Sequence, residues 1–94
     1  MISIVIPTYE QKGEGAKYLT ILLQSIQHQK ITVPYEIIIS DNDTSGHILK
    51  ATDFFKDLPI KYYQNPIRGA SENINNAIDL AQYDKVKIMC QDDV

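Results

Sequence analysis

Two adjacent carboxylates, Asp92 and Asp93, follow directly on Val86 to Cys90, a segment that reads as a strand. Like charges about 4 Å apart repel by roughly 4 kcal/mol at an effective dielectric of about 20, less where water reaches them. A divalent cation would turn that repulsion into binding. Further acids and amides follow other apolar runs: Thr8-Tyr9-Glu10 after Ile2 to Ile6, Asp41-Asn42-Asp43 after Tyr35 to Ser40, and Asn65, with Arg68 beyond it, after Ile60 to Gln64. A solvated turn explains Glu10 or Asp43 taken singly as well as any ligand does. The adjacent pair Asp92 and Asp93 is harder to explain that way. Hard cations such as Mg²⁺ or Mn²⁺ take oxygen ligands and can bridge carboxylates to phosphate oxygens, so the pattern fits a phosphate compound held through a metal.

The elements that must position these groups alternate in type. Ile2-Ser3-Ile4-Val5-Ile6 is β-branched and apolar, and Pro7 is expected to end its pairing. Leu19, Leu22, Leu23 and Ile26 fall at the spacing of one helix face, within a helix from about Gly15 to Gln29. Tyr35 to Ser40 has the continuous apolar centre of a strand buried on both faces. A weaker helix pattern, interrupted by Thr52 and Asp53, covers Ile48 to Lys56. Ile60 to Gln64 is a third strand. Ile74, Ala77, Ile78 and Ala81 form the core stripe of a third helix, with Ser71 as its N-cap. Val86 to Cys90 is the fourth strand, and Cys90 reads as a small buried residue within it. The order βαβαβαβ predicts an α/β fold, a small Rossmann-like parallel sheet with right-handed crossovers. In such sheets ligands sit outside the carboxyl ends of the strands, where all of these polar groups fall.

Composition narrows the partners. The 94 residues carry a net charge of -3, which argues against nucleic acid as a partner because neutralising phosphates needs a basic surface. No GxGxxG follows the first strand and no GxxxxGK[ST] occurs, which disfavours dinucleotide and P-loop readings. Cys90 is the one cysteine, so no internal disulfide forms. No apolar run reaches the ~20 residues of a membrane span, and Met1 leads straight into a strand with no signal-peptide pattern. A cytoplasmic location is the expectation, and the sequon at Asn42-Asp43-Thr44 is read as chance. No linker divides residues 1–94, which read as a single domain.

These stretches resemble family 2 glycosyltransferases of the GT-A type. Ile4-Val5-Ile6-Pro7-Thr8-Tyr9-Glu10 is similar to the family's opening strand and loop, and Glu36 to Asn42 to its second strand and aspartate. Asn65 to Asn73 resembles the Asn…Gly…Asn stretch before the third helix, and Gln91-Asp92-Asp93 a variant of the DXD motif. The resemblance spans nearly the whole chain. It implies the nucleotide-sugar-binding half of such an enzyme, with Mn²⁺ or Mg²⁺ as cofactor. Thr8, Tyr9 and Glu10 would border the base and ribose, and Asp41 would hydrogen-bond the base, typically uracil. Arg68 would lie near base or phosphates, Asp92 would contact ribose or sugar and share the metal, and Asp93 would ligate it. The metal would act as a Lewis acid on the departing nucleoside diphosphate. Cys90 stands where the fuller motif often has aspartate. The family's acceptor half and catalytic base lie downstream of the motif, so no base is assigned. An acidic motif at the last residues implies a longer protein or completion by a partner chain, and open sheet edges make self-association an expectation.

Two other readings compete. A sugar-phosphate nucleotidyltransferase would also join acidic metal ligands to this fold, but with a glycine-rich basic loop where Thr8-Tyr9-Glu10 stands. A non-catalytic nucleotide-sugar-binding module is the other, with a signalling receiver domain as its more remote version. Asn73 is expected to tie loop to helix rather than touch ligand, and Tyr9 fits stacking or packing equally. His28 and His47 show no metal-ligand spacing.

Overall fold

In a computed structural model of the chain, which describes residues 1–9, 14–29, 31–65 and 69–90, the strands are β1 (Ile2–Thr8), β2 (Tyr35–Asp41), β3 (Ile60–Gln64) and β4 (Lys85–Ile88). The helices are α1 (Gly15–His28), α2 (His47–Thr52) and α3 (Ala70–Leu80), and a 3-10 turn, Asp53–Phe55, extends α2. The sheet is parallel throughout, in the order β3-β2-β1-β4. This is the α/β Rossmann-like arrangement expected from the alternation of patterns.

Side chains alternate across the two faces of the sheet. Ile4, Ile6, Ile37 and Ile39 pack under α1 and α2, against Leu19, Leu22, Leu23, Ile26, Ile48 and Phe55. Val5 and Ile38 face the other way, onto Ala77 of α3. β1 and β2 are thus covered on both faces, which is why their sequences are nearly continuous apolar runs. β4 lies at the edge, and all four of its residues are exposed.

Four local expectations need correction. β1 does not stop before Pro7 but runs on through Thr8. Met89 N–H donates to the Val5 carbonyl on the β4 side, while Asn42 N–H donates to the Thr8 carbonyl on the β2 side. By that alternation the nitrogen of Pro7 faces the β4 side, where the ladder has ended, so its missing N–H leaves no gap. Cys90 is exposed, because β4 is an edge strand that ends at Ile88.

Ser71 is not the N-cap of α3. That position is held by Gly69, with φ +135° and no side-chain cap. An L side chain rarely adopts such a φ, and a Cβ at Gly69 would also press into the Glu72 carboxylate. Ile78 is 37% exposed while Asn73 is 1% exposed. The helix is turned so that Asn73 and Ala77 meet the sheet, because Asn73 has polar partners there.

At the amino edge of the sheet Glu36 is buried. Ser3 Oγ donates to its carboxylate at 2.6 Å, the Gln82 amide at 2.7 Å and Lys61 Nζ at 2.9 Å. Burial pushes its pKa up, but the bonds from Ser3, Gln82 and Lys61, with the Lys61 charge, outweigh this and hold it below the ordinary 4.5. A depressed carboxylate stabilises the fold above its unfolded pKa and loses that contribution as pH falls through the folded value. Acid titration of unfolding should therefore show stability falling below pH 4.5, and Glu36→Gln should flatten that dependence. Glu36→Ala, which strands the buried Ser3 hydroxyl and the part-buried Gln82 amide, is expected to cost about 2–4 kcal/mol in urea denaturation.

Candidate functional site

The strand order fixes where a ligand cleft can form. From β1 the chain moves outward to β2 and then β3, and α3 carries it back across the opposite face to β4 on the other side of β1. The direction of winding reverses between β1 and β4. Helices there diverge to opposite faces, and in open parallel sheets the carboxyl ends of two such strands are where a ligand crevice forms. Thr8 and Tyr9 stand at the end of β1. β4 is parallel to β1 and runs toward the same edge, and Asp92 and Asp93 follow it in sequence.

Thr8 and Asp41 are register partners at the ends of β1 and β2, and both are fully buried. Thr8 Oγ1 donates to Asp41 Oδ1 at 3.0 Å, as does the Asp43 amide at 2.9 Å. Tyr62 reaches from β3 to donate its hydroxyl to Asp41 Oδ2 at 2.5 Å. The Asn65 amide donates to the Asp41 carbonyl at 2.7 Å. One carboxylate therefore fastens three strand ends. Burial raises the Asp41 pKa above its ordinary value, against the pull of Tyr62, the Asp43 amide and Thr8, and the Asp43 charge adds to the rise. Burial and the bond to Asp41 raise the Tyr62 hydroxyl in turn.

A second polar cluster occupies the opposite face at the same edge. Ser40 Oγ donates to Asn73 Oδ1 at 2.7 Å, and Asn76 Nδ2 donates to Ser40 Oγ at 2.8 Å. Asn73 Nδ2 donates to the Thr8 carbonyl at 3.2 Å, and Asn65 Nδ2 to Asn73 Oδ1 at 3.3 Å. Asn73 lies within α3 and, besides its bond to Asn65 after β3, ties that helix to β1 and β2, a wider role than the loop-to-helix tie expected of it. The loop after β2 is held by its own bonds: Asn42 Nδ2 donates to the Asn65 carbonyl at 3.0 Å and Gln64 Nε2 to the Asp43 carbonyl at 3.1 Å.

Of the residues singled out in the sequence, Thr8, Tyr9 and Asp41 come together at one edge. Tyr9 is 42% exposed there, able to present its ring to a ligand, whereas Thr8 and Asp41 lie beneath the surface. Glu10, Arg68, Asp92 and Asp93 lie outside the described residues. Among the described residues no cluster of three or more metal-ligating side chains occurs. Asp41 is committed to hydrogen bonds and Asp43 Oδ2 accepts from the Ser45 amide and hydroxyl. Both carboxylates are thus already engaged by neighbouring donors. Tyr62, Ser40 and Asn76 were not anticipated. Tyr62 looked like an ordinary aromatic strand residue, and only the β2–β3 register puts its hydroxyl on Asp41.

The comparisons agree with this geometry. The family model described as "Glycosyl transferase family 2" matches residues 3–94. S. aureus TarS is 25% identical, with a TM-score of 0.76 over 97% of this chain and 16% of its own. TarS 1–349 in complex with UDP is likewise 25% identical, with a TM-score of 0.77 over 97% of this chain and 27% of its own. The mannosyltransferase PcManGT from Pyrobaculum calidifontis, in complex with GDP-Man and Mn2+, shares the fold at 22% identity and a TM-score of 0.75, again over 97% of this chain and 27% of that one. The chain thus spans about a quarter or less of these proteins. No curated protein matches it. No helix among the described residues is long and apolar enough to cross a membrane.

The raised pKa of Asp41 has a definite sign. A carboxylate whose folded pKa lies above its unfolded value stabilises the fold below the ordinary 3.8 and loses that contribution as pH rises through the folded value. At neutral pH its buried charge is a net burden. Asp41→Asn keeps an acceptor for Thr8 and the Asp43 amide and lets the Tyr62 hydroxyl accept instead of donate. It should leave stability at pH 7 within about 1 kcal/mol of the parent, or above it. Asp41→Ala strands the donors and should lose about 2–4 kcal/mol in the same denaturation experiment.

Proposed function

The chain belongs to glycosyl transferase family 2, and on that premise we propose that it forms the donor-binding part of a glycosyltransferase. Its ligand is a nucleoside diphosphate sugar, a UDP-sugar, held through Mn²⁺ or Mg²⁺ for transfer of the sugar to an acceptor hydroxyl. The observation that carries this reading is the reversal of winding between β1 and β4. It sets the Thr8–Tyr9 end of β1 on one side of a crevice and the strand leading to Asp92 and Asp93 on the other.

The roles follow from chemistry. The Tyr9 ring is exposed for the base or ribose, and Glu10 continues that wall. Asp41 holds the floor in shape and offers the base the one acceptor position left beyond its bonds to Thr8, Tyr62 and Asp43. Arg68 meets base or phosphate. Asp92 and Asp93 hold the metal, with Asp92 also toward ribose or sugar. When bound, the metal supplies positive charge for the leaving diphosphate. Without it, a diphosphate would meet an acidic edge and be repelled. UDP bound to TarS, the 25% identical relative, supports uracil as the base, and Mn2+ beside GDP-Man in PcManGT supports the metal. The acceptor and the base that takes its proton belong to the whole protein, and a cytoplasmic donor pool fits the single cysteine.

Calorimetric titration with UDP in the presence and absence of Mn²⁺ tests the reading. Binding should require the metal, and Asp93→Ala should weaken it on the order of tenfold or more, the scale of lost metal-ligand support. Binding indifferent to both the metal and Asp93→Ala would sink the proposal.

A further inference from the structure

α1 and α2 leave a cavity between them, of about 380 Å³, lined by none of the residues at the ends of β1 and β4. Its walls follow helical spacing. Ala16 and Lys17 come from α1, while His47, Lys50 and Ala51 come from α2 and Phe54 from the turn that extends it. Two alanines allow the cleft its depth, since any longer side chain there would fill it. Among the described residues, no carboxylate lines it. In a chain of net charge -3, two lysines and a histidine converge on one hollow.

The His47 ring is hydrogen-bonded to Ser45 Oγ at 2.9 Å, whereas the two lysines do little for the fold. Lys17 makes one exposed contact with Glu14, at 3.9 Å, too long and too wet to hold the ammonium in place. Lys50 forms no ion pair among the described residues. Phe54 is 83% exposed, although the next residue, Phe55, is buried in the core. An aromatic ring left in water beside two exposed lysines offers a flat apolar wall and an anion-binding rim together.

We propose that the cleft between α1 and α2 is a second binding site, separate from the nucleotide-sugar crevice, for a small molecule bearing a phosphate or carboxylate on a flat apolar body. The anion sits between Lys17 and Lys50, within reach of His47, and the apolar body lies against Phe54 over the two alanines. The site goes beyond the proposed transferase function and does not depend on it.

Amide shifts followed by NMR during titration with phenyl phosphate, benzoate, inorganic phosphate and phenol test this. Phenyl phosphate or benzoate should give saturable shifts at Ala16 to Thr20 and His47 to Phe54, with dissociation constants in the millimolar range or below. Whichever of the two binds tighter identifies the preferred head group. The double variant Lys17→Glu, Lys50→Glu should weaken that ligand on the order of tenfold, and both positions are exposed enough to leave the fold intact. Phe54→Ala should weaken phenyl phosphate while leaving inorganic phosphate unchanged. Shifts that never saturate, that ignore the charge reversal, or that centre on Thr8 and Tyr9 would overturn the assignment.

Discussion

A single buried carboxylate organises the working edge of this protein. Asp41 sits where β1, β2 and β3 end together, and it receives a hydroxyl from β1, a hydroxyl from β3 and an amide from its own loop. Burying a charge is costly unless hydrogen bonds compensate, and here the compensation comes from strands that would otherwise be free to shift past one another. The three ends are held level because the carboxylate is satisfied only when they are. The raised pKa of Asp41 shows that the compensation is incomplete. Incomplete stabilisation is common where a fold retains polar groups for a site rather than for its own stability.

The opposite edge solves the same problem without that residue of cost. Glu36 is shielded from water but less deeply enclosed than Asp41, and it gathers a hydroxyl, an amide and an ammonium, so its pKa falls rather than rises. The two carboxylates belong to the same strand, one near each end. One closes the amino end of the sheet between β1, β3 and the approach to β4. The other frames the carboxyl end, where a crevice must stay open.

Much of the architecture was legible because it rests on local pattern. The spacing of Leu19, Leu22, Leu23 and Ile26 and the unbroken apolar centre of β2 respond to burial on one helix face and on two sheet faces, and both survive in the fold. The gathering of Thr8, Tyr9 and Asp41 at one edge followed from parallel strands alone. What failed to show was set by partners distant in the chain. Pro7 could be placed in a strand only by knowing that β4 stops short of it. Asn73 turned inward at the expense of Ile78 because Ser40 and the Thr8 carbonyl wait on the sheet. Ser71 lost the capping position to a glycine whose backbone no hydroxyl could replace. Tyr62 carries no motif, and its value lies wholly in register.

The return of α3 across the sheet has a consequence for how the protein is made. Of the four strands β1 is synthesised first and is the last to gain both neighbours, since β4 follows the other three in sequence. Until α3 has been synthesised and docked, Val5 and Ile38 have no cover, and pairing of such distant segments is slow because loop closure must precede any gain in contacts. The nascent chain therefore passes through a stage with a half-dressed sheet, open to chaperones and to wrong partners alike. The cleft acquires its second wall only once β4 has paired with β1.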